Sequence, residues 1–289
     1  MNPARPAPTA PLDPRVVDDV LRAAIREDLG GGDLTSRAVI PETATAGGRY
    51  TAKQSLVVAG LPAAQRLLEL LDPGLQFRLL VQDGDFVESG SVLAEVQGFA
   101  RSVLSGERVS LNLLQRMCGI ATLTHEYVEC VKGTKARVVD TRKTVPGLRV
   151  LDKYAVACGG GSNHRMGLFD AILIKNNHLV FHASIAEALR IARMNAGPSA
   201  RIEVEVPGPE LVDAAIDAGA DAILLDNFTV EQTREAVLRC RGRVPLESSG
   251  GITLETIRSY AEAGVDIISV GALTHSPPAA DIHLRVIPV

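Results

Sequence analysis

The chain has 289 residues, 46% of them hydrophobic and 22% charged, with a net charge of −4; this is the balance of a globular protein able to bury its own core. That charge argues against a general nucleic-acid binder, and no apolar stretch approaches the ~18 residues a membrane helix needs. The four cysteines, Cys118, Cys130, Cys158 and Cys240, form no CxxC pair, which argues against a zinc site or disulfide framework and points to a reducing, cytoplasmic setting.

Tryptophan is absent and aromatics make up only 3%, so the core is expected to be aliphatic. Residues 1–12 are rich in Pro and Ala, lack the apolar core of a signal peptide, and read as a disordered tail. Asp13-Pro14 predicts an N-cap with proline at the first helical position. Val17, Val20, Leu21, Ala24 and Ile25 then recur at helical spacing up to Gly30. A second helix is expected over Pro62–Leu71. Strands are expected at Arg49–Ala52, Ser55–Ala59, Phe77–Val81 and Val92–Val96, so this part reads as α+β. From Arg101 to Lys132 the pattern is helical, with Leu104, Leu111, Leu114 and Met117 on one face and Arg108 off it. Gly119 is expected to divide that segment into two helices.

Beyond Lys135 short apolar runs alternate with helical ones. Strands are expected at Arg137–Asp140, Ala171–Ile174, Ile202–Val206, Ala222–Leu225, Val244–Leu246 and Ile267–Val270. Helices are expected over Ser184–Asn195, Pro209–Ala218, Thr229–Cys240 and Thr253–Ala263, with Thr229 and Gln232 spaced as a capping box. Such alternation implies βαβ units and a parallel sheet covered on both faces. A full eight-unit barrel usually needs ~250 residues. The chain therefore reads as an α/β protein with a short or incomplete α/β barrel; a doubly wound sheet is the alternative.

In parallel α/β folds, function gathers at the C-terminal ends of strands. There the sequence places Thr141, Arg142 and Lys143; Lys175; Glu205; Asp226; Ser249, Gly250 and Gly251; and Val270, Gly271, Ala272 and His275. The SSGGIT turn, running into a helix expected near Thr253, suits a phosphate, because small residues let backbone N–H groups approach it. Arg142, Lys143, Lys175, and His164 and Arg165 in a glycine-rich loop form a local cationic set suited to a small polyanion. Glu205 and Asp226 suit sugar hydroxyls, a cationic transition state or a metal. His178 and His182 stand four apart, but no third zinc ligand is evident. There is no G-x-S-x-G elbow, no Walker A motif and no dinucleotide fingerprint.

The motifs EDLGGGDLTS, SGERVSLNLLQRMCGIAT, DTRKTVPGLRVLDKYAV, GGGSNHRMGLFDAILIKNNH, EVEV, LLDNF and ESSGGI closely resemble the quinolinate phosphoribosyltransferases, from about Asp13 to His275. The resemblance implies an N-terminal α+β sandwich over residues 13–118, joined by 276–289, and an open α/β barrel of fewer than eight strands over 119–275. It implies transfer of phosphoribosyl from phosphoribosyl pyrophosphate to quinolinate with decarboxylation, Mg2+ as cofactor, and a homodimer, or a higher homo-oligomer, with shared active sites. By residue match, Arg142, His164, Arg165 and Lys175 would bind quinolinate, and Arg108 would be lent by the partner subunit. Lys143 would lie between the two substrates, with Thr141 beside it. Glu205 and Asp226 would face ribose and magnesium, and Ser249, Gly250, Gly251, Val270, Gly271, Ala272 and His275 would hold the 5-phosphate. Lys143, Lys175, Glu205 and Asp226 are the expected catalytic residues. The rivals are a related transferase for another aromatic acid or base, and a non-catalytic phosphosugar-binding protein.

Overall fold

A computed structural model describes residues 12–197 and 199–289. Apart from Leu12, the tail expected over residues 1–12 lies outside the described residues. In chain order the elements are α1 (Pro14–Leu29), α2 (Leu34–Val39), β1 (Thr45–Ala52), β2 (Leu56–Val57), α3 (Leu61–Leu71), β3 (Gln76–Leu79), β4 (Phe86–Val87), β5 (Val92–Phe99) and α4 (Ala100–Cys130). There follow β6 (Arg137–Val139), α5 (Arg149–Cys158), β7 (Ile172–Ile174), α6 (Asn176–Leu179), α7 (Ile185–Asn195), β8 (Ile202–Val206), α8 (Val212–Asp217, after a 3-10 turn) and β9 (Ala222–Asp226). The last are α9 (Val230–Cys240), β10 (Leu246–Ser249), α10 (Ile257–Ala263), β11 (Ile267–Ser269), α11 (Ala272–His275) and β12 (Ile282–Pro288). The chain divides into two compact units: one holds residues up to 125 with 144–160 and 273–289, the other residues 126–143 and 161–272. No helix among the described residues is long and apolar enough to cross a membrane.

The first unit is built on an antiparallel sheet in the order β12-β1-β5-β3. Asp13 caps α1 by accepting from the Arg15 N–H, with Pro14 at the first helical position, as its sequence predicts. The start of α3 carries no cap of its own. Asp83, from a distant loop, accepts from the Gly60 and Leu61 N–H groups at 2.8 and 3.1 Å. Burial holds its carboxyl above the usual range, against those hydrogen bonds.

Helix α4 corrects one expectation: Gly119 does not break it, and Ala100–Cys130 runs unbroken. The glycine answers packing instead, because a Cβ there would collide with the Pro278 carbonyl oxygen. Helix α5 and strand β12 go beyond the elements expected from sequence. Helix α5 lies in the segment rich in strand-end motifs, where polar residues obscure its buried face of Leu151, Ala155 and Val156.

The second unit is an open six-stranded sheet in the order β6-β11-β10-β9-β8-β7, every pair parallel. These are the six strands expected, in an unclosed barrel. Strand β9 is buried from Ala222 to Leu225, as a strand covered on both faces must be. The Thr229–Gln232 capping box of α9 forms as its spacing predicts.

Strand and helix ends shift from expectation at several places, among them β1, which starts at Thr45 rather than Arg49, and two of the shifts bear on the site. The fifth strand spans Leu246–Ser249 rather than Val244–Leu246. Pro245 cannot donate to a ladder; it only accepts, from the Ile223 N–H. Glu247 therefore lies inside the strand, 2% exposed. The following helix begins at Ile257 rather than near Thr253. Thr256 Oγ1 accepts from the Thr253 N–H and closes a separate turn first.

Candidate active site

The site is built on the C-terminal edge of the open sheet. Side chains two apart on a strand share a face, so Glu203 and Glu205 of β8 look the same way, Glu203 one layer deeper. Register pairs Ser249 with Asp226 and Glu247 with Leu224, which puts Glu247, Ser249 and Asp226 on that face too. The adjacent pairs Glu203–Ala222 and Glu205–Leu224 agree.

At the edge strand β6 the chain returns as an irregular loop. Ser162 forms a parallel bridge to Val139, and its N–H donates to the Val138 carbonyl. Asp140, fully buried at the end of β6, anchors the start of the 163–170 loop. Its Oδ1 accepts from the His164 N–H at 2.9 Å and its Oδ2 from Asn163 Nδ2 at 2.6 Å. Asp170 holds the next turn through the Met166 and Gly167 N–H groups. The loop carrying His164 and Arg165 is thus pinned at both ends.

His164 Nε2 lies 3.3 Å from Glu203 Oε2 and 3.5 Å from Glu247 Oε2. Burial disfavours an imidazolium, but the two carboxylates outweigh it and raise the ring to about 9. A third contact opposes them: Nδ1 accepts the Arg165 N–H at 2.7 Å, which a doubly protonated ring cannot do. One N–H dipole is weaker than two carboxylate charges, so the charged form wins. Nδ1 then becomes a donor that must turn from Arg165 toward another acceptor. The same geometry bears on metals. His164, Glu203 and Glu247 offer ligand atoms within 4.8 Å of one another, but a metal on Nε2 requires Nδ1 to carry hydrogen and donate. An imidazolium makes the same demand on Nδ1, so the Arg165 contact does not decide between the two roles.

Arg165 is half-buried and donates to the Ala171 carbonyl at 3.1 Å. Burial and then the neighbouring Arg142 guanidinium lower its pKa. A guanidinium half-buried beside another cation is a place that an anion would relieve.

Lys175 ends β7 and caps α6, its N–H donating to His178 Nδ1 at 2.8 Å. His178 is thereby tied to the strand end through Nδ1. Asn176, unremarked in the sequence, bridges the two carboxylates: its Nδ2 lies 3.2 Å from Glu205 Oε1 and 3.3 Å from Asp226 Oδ2. Burial, then the nearby Asp226, raises the Glu205 pKa, with Lys175 opposing. Hard oxygens converging in this way suit Mg2+.

Gly250 and Gly251 adopt φ of +101° and +60°, which favours glycine. A Cβ on Gly250 would strike Asn227 Oδ1, whereas one on Gly251 would meet nothing within 4 Å. The turn is braced on one side, where the Asn227 N–H donates to the Ser249 carbonyl, and open on the other. Val270, Gly271 and Ala272 follow β11 in the same unit. The other unit holds Arg108, exposed on α4, and His275, exposed at the end of α11. Thr141 and Lys143 come directly after Asp140, and the Lys143 N–H donates to Thr141 Oγ1 at 3.0 Å.

Sequence models of the quinolinate phosphoribosyl transferase N-terminal and C-terminal domains match residues 33–118 and 120–285. A relative from Mycobacterium leprae, a carboxylating nicotinate-nucleotide pyrophosphorylase, is 46% identical over 92% of this chain and 95% of its own. A probable enzyme of that name from Bacillus subtilis is 45% identical over 90% of each chain. The crystal structure of NadC from Streptococcus pyogenes superposes with a TM-score of 0.93 at 39% identity, covering 97% of this chain and all of that one. With family models covering most of its length, the chain belongs to the quinolinate phosphoribosyl transferase family.

Proposed function

We propose that the protein transfers the phosphoribosyl group of phosphoribosyl pyrophosphate to the ring nitrogen of quinolinate, with loss of the C2 carboxylate, giving nicotinate mononucleotide, pyrophosphate and CO2 for NAD synthesis. The observation that carries this reading is the Arg142 guanidinium near enough to Arg165 to lower its pKa, after burial, next to His164 with the carboxylates of Glu203 and Glu247 on its ring. A ligand with two adjacent carboxylates answers that arrangement. In this reading Arg142, Arg165, His164 and Lys175 hold quinolinate.

The ring nitrogen attacks the anomeric carbon as pyrophosphate departs, through a transition state of oxocarbenium character. Glu205 and Asp226 are assigned to stabilising that cation, and Lys143 to the space between the substrates. Bound with phosphoribosyl pyrophosphate, Mg2+ would neutralise the departing charge, with Glu205 and Asp226 as the residues to hold it. The quaternised ring nitrogen then stabilises the electron pair left on C2 as the C2–carboxylate bond breaks and CO2 departs, and C2 takes up a proton, ultimately from water, to complete the product. No protein nucleophile is required, and catalysis is positioning and electrostatics. Ser249, Gly250, Gly251, Val270, Gly271, Ala272 and His275 are assigned to the 5-phosphate. Arg108, exposed on α4, is assigned to the partner's site in a homodimer. The free cysteines fit a cytoplasmic setting.

The test is direct. Purified protein with quinolinate, phosphoribosyl pyrophosphate and Mg2+ should form nicotinate mononucleotide and release one CO2 for each. Turnover of nicotinate without CO2 would favour the related-transferase reading, and binding without turnover the non-catalytic one. Size-exclusion chromatography with light scattering tests the dimer.

A further inference from the structure

Two of the family-like motifs, SLNLLQRM and VLDKYAV, contain charged residues that the proposed chemistry does not use. They meet in the first unit. Arg116 of α4 donates from Nε to Asp152 Oδ1 and from its terminal nitrogen to Asp152 Oδ2, both at 2.8 Å. Asp152, on α5, is fully buried and the Arg116 side chain is 23% exposed. A pair so buried adds little stability over an apolar pair of equal volume, because both charges lose their water. What distinguishes this one is what its two ends hold. The same terminal nitrogen of Arg116 donates to the Thr274 carbonyl at 3.0 Å. The same Oδ2 of Asp152 accepts the Val145 N–H at 3.3 Å.

Thr274 immediately precedes His275, a residue assigned to the 5-phosphate. Val145 comes two residues after Lys143. The turn after Lys143 is tied further: Arg149 Nε donates to Thr144 Oγ1 at 3.0 Å, and the Leu148 N–H to the Val145 carbonyl at 3.0 Å. We propose that Arg116 and Asp152 are positioning residues for phosphoribosyl transfer. Their ion pair fixes the backbone at Thr274–His275 and at the turn leaving Lys143, without touching either substrate. The fork geometry is what the role needs: guanidinium can serve a carboxylate with two donors and still reach a carbonyl, whereas an ammonium is a single point.

This inference rests on the proposed phosphoribosyl transfer, and wild-type protein is the control that separates the two. The experiment compares wild type, Arg116→Lys and Asp152→Asn by thermal midpoint and by initial rates with each substrate varied in turn. Expected is a folded Arg116→Lys protein whose kcat falls, or whose KM for phosphoribosyl pyrophosphate rises, by roughly 10- to 100-fold, as sub-ångström to ångström misplacement of reacting groups produces. The KM for quinolinate should move much less. A lower thermal midpoint with kcat and both KM values unchanged would make the pair merely structural and overturn the proposal. Should Arg116→Lys fail to fold, Asp152→Asn, which keeps shape and loses charge, is read against the same two outcomes. Absence of product from wild type would sink the reaction itself, not the role of the pair.

Discussion

The imidazole of His164 faces the buried carboxylate of Glu247 at 3.5 Å, with Glu203 at 3.3 Å on the same nitrogen. The ring's pKa, raised to about 9, lies above its ordinary value near 6.5. The sign comes from linkage: the folded state binds the proton more tightly, so this stabilisation is complete below about pH 6.5 and fades as pH rises through about 9. It amounts to no more than about 3 kcal/mol. Glu247→Gln should flatten this dependence. Thermal midpoints of both proteins at several values from pH 6 to pH 9.5 check it, read as the difference between them so that other titrating groups cancel. Parallel curves would show that Glu247 does not hold the histidine's proton.

Glu205 carries the opposite sign of strain. Burial and then Asp226 raise its carboxyl above the ordinary range, so the folded state works against its charge at neutral pH. Glu205→Gln should therefore raise stability, by about 0.5–2 kcal/mol as active-site relief commonly does. Activity should fall by roughly 10²–10³, the usual loss when a group that stabilises transition-state charge is removed. Urea denaturation and kcat on one preparation test both halves. A variant that is less stable and fully active would contradict the assignment.

Five of the six parallel strands were legible as short runs centred on apolar residues and ending in polar ones, a pattern that buried strands impose. The strand-end residues were legible for the same reason. Strand β10, whose sequence is LESS, was placed too early because its polar residues lie inside the strand. What the sequence hid was partnership. Glu203 reads as one more acid in IEVEV, and only the fold shows it meeting His164 from a distant strand. A usable signal was present: two acids in a strand otherwise buried, where charge is rarely left unpaired. Gly119 misled because glycine reads as a helix breaker, while the cause of its presence, Pro278, lies far along the chain. Asn176 gave no local hint, since its role exists only where β7, β8 and β9 end side by side.

Gly119 supplies a stability prediction with a sign contrary to helix propensity. In an exposed helix, Gly→Ala gains roughly 0.5–1 kcal/mol. Here the added methyl meets the backbone carbonyl of Pro278, which cannot rotate away as a side chain could. Overpacking of this kind typically costs about 1–3 kcal/mol. Gly119→Ala should lower the thermal midpoint, and Gly119→Ser no less. A neutral or raised midpoint would mean that the 278–279 segment yields freely.

Gly250 allows the phosphate assignment to be tested apart from the cation cluster. Its φ of +101° and its approach to Asn227 both exclude a side chain, so Gly250→Ala must distort the turn or displace Asn227, at about 1–3 kcal/mol of local strain. Gly250 packs on Asn227, whereas Arg165 donates to the Ala171 carbonyl before another strand. The expected result is selective: KM for phosphoribosyl pyrophosphate rises roughly tenfold or more, while the affinity for quinolinate, measured by calorimetry, stays close to wild type. If both ligands weaken alike, the turn supports the whole site rather than the phosphate, and the assignment of Ser249, Gly250 and Gly251 to the phosphoribosyl end fails.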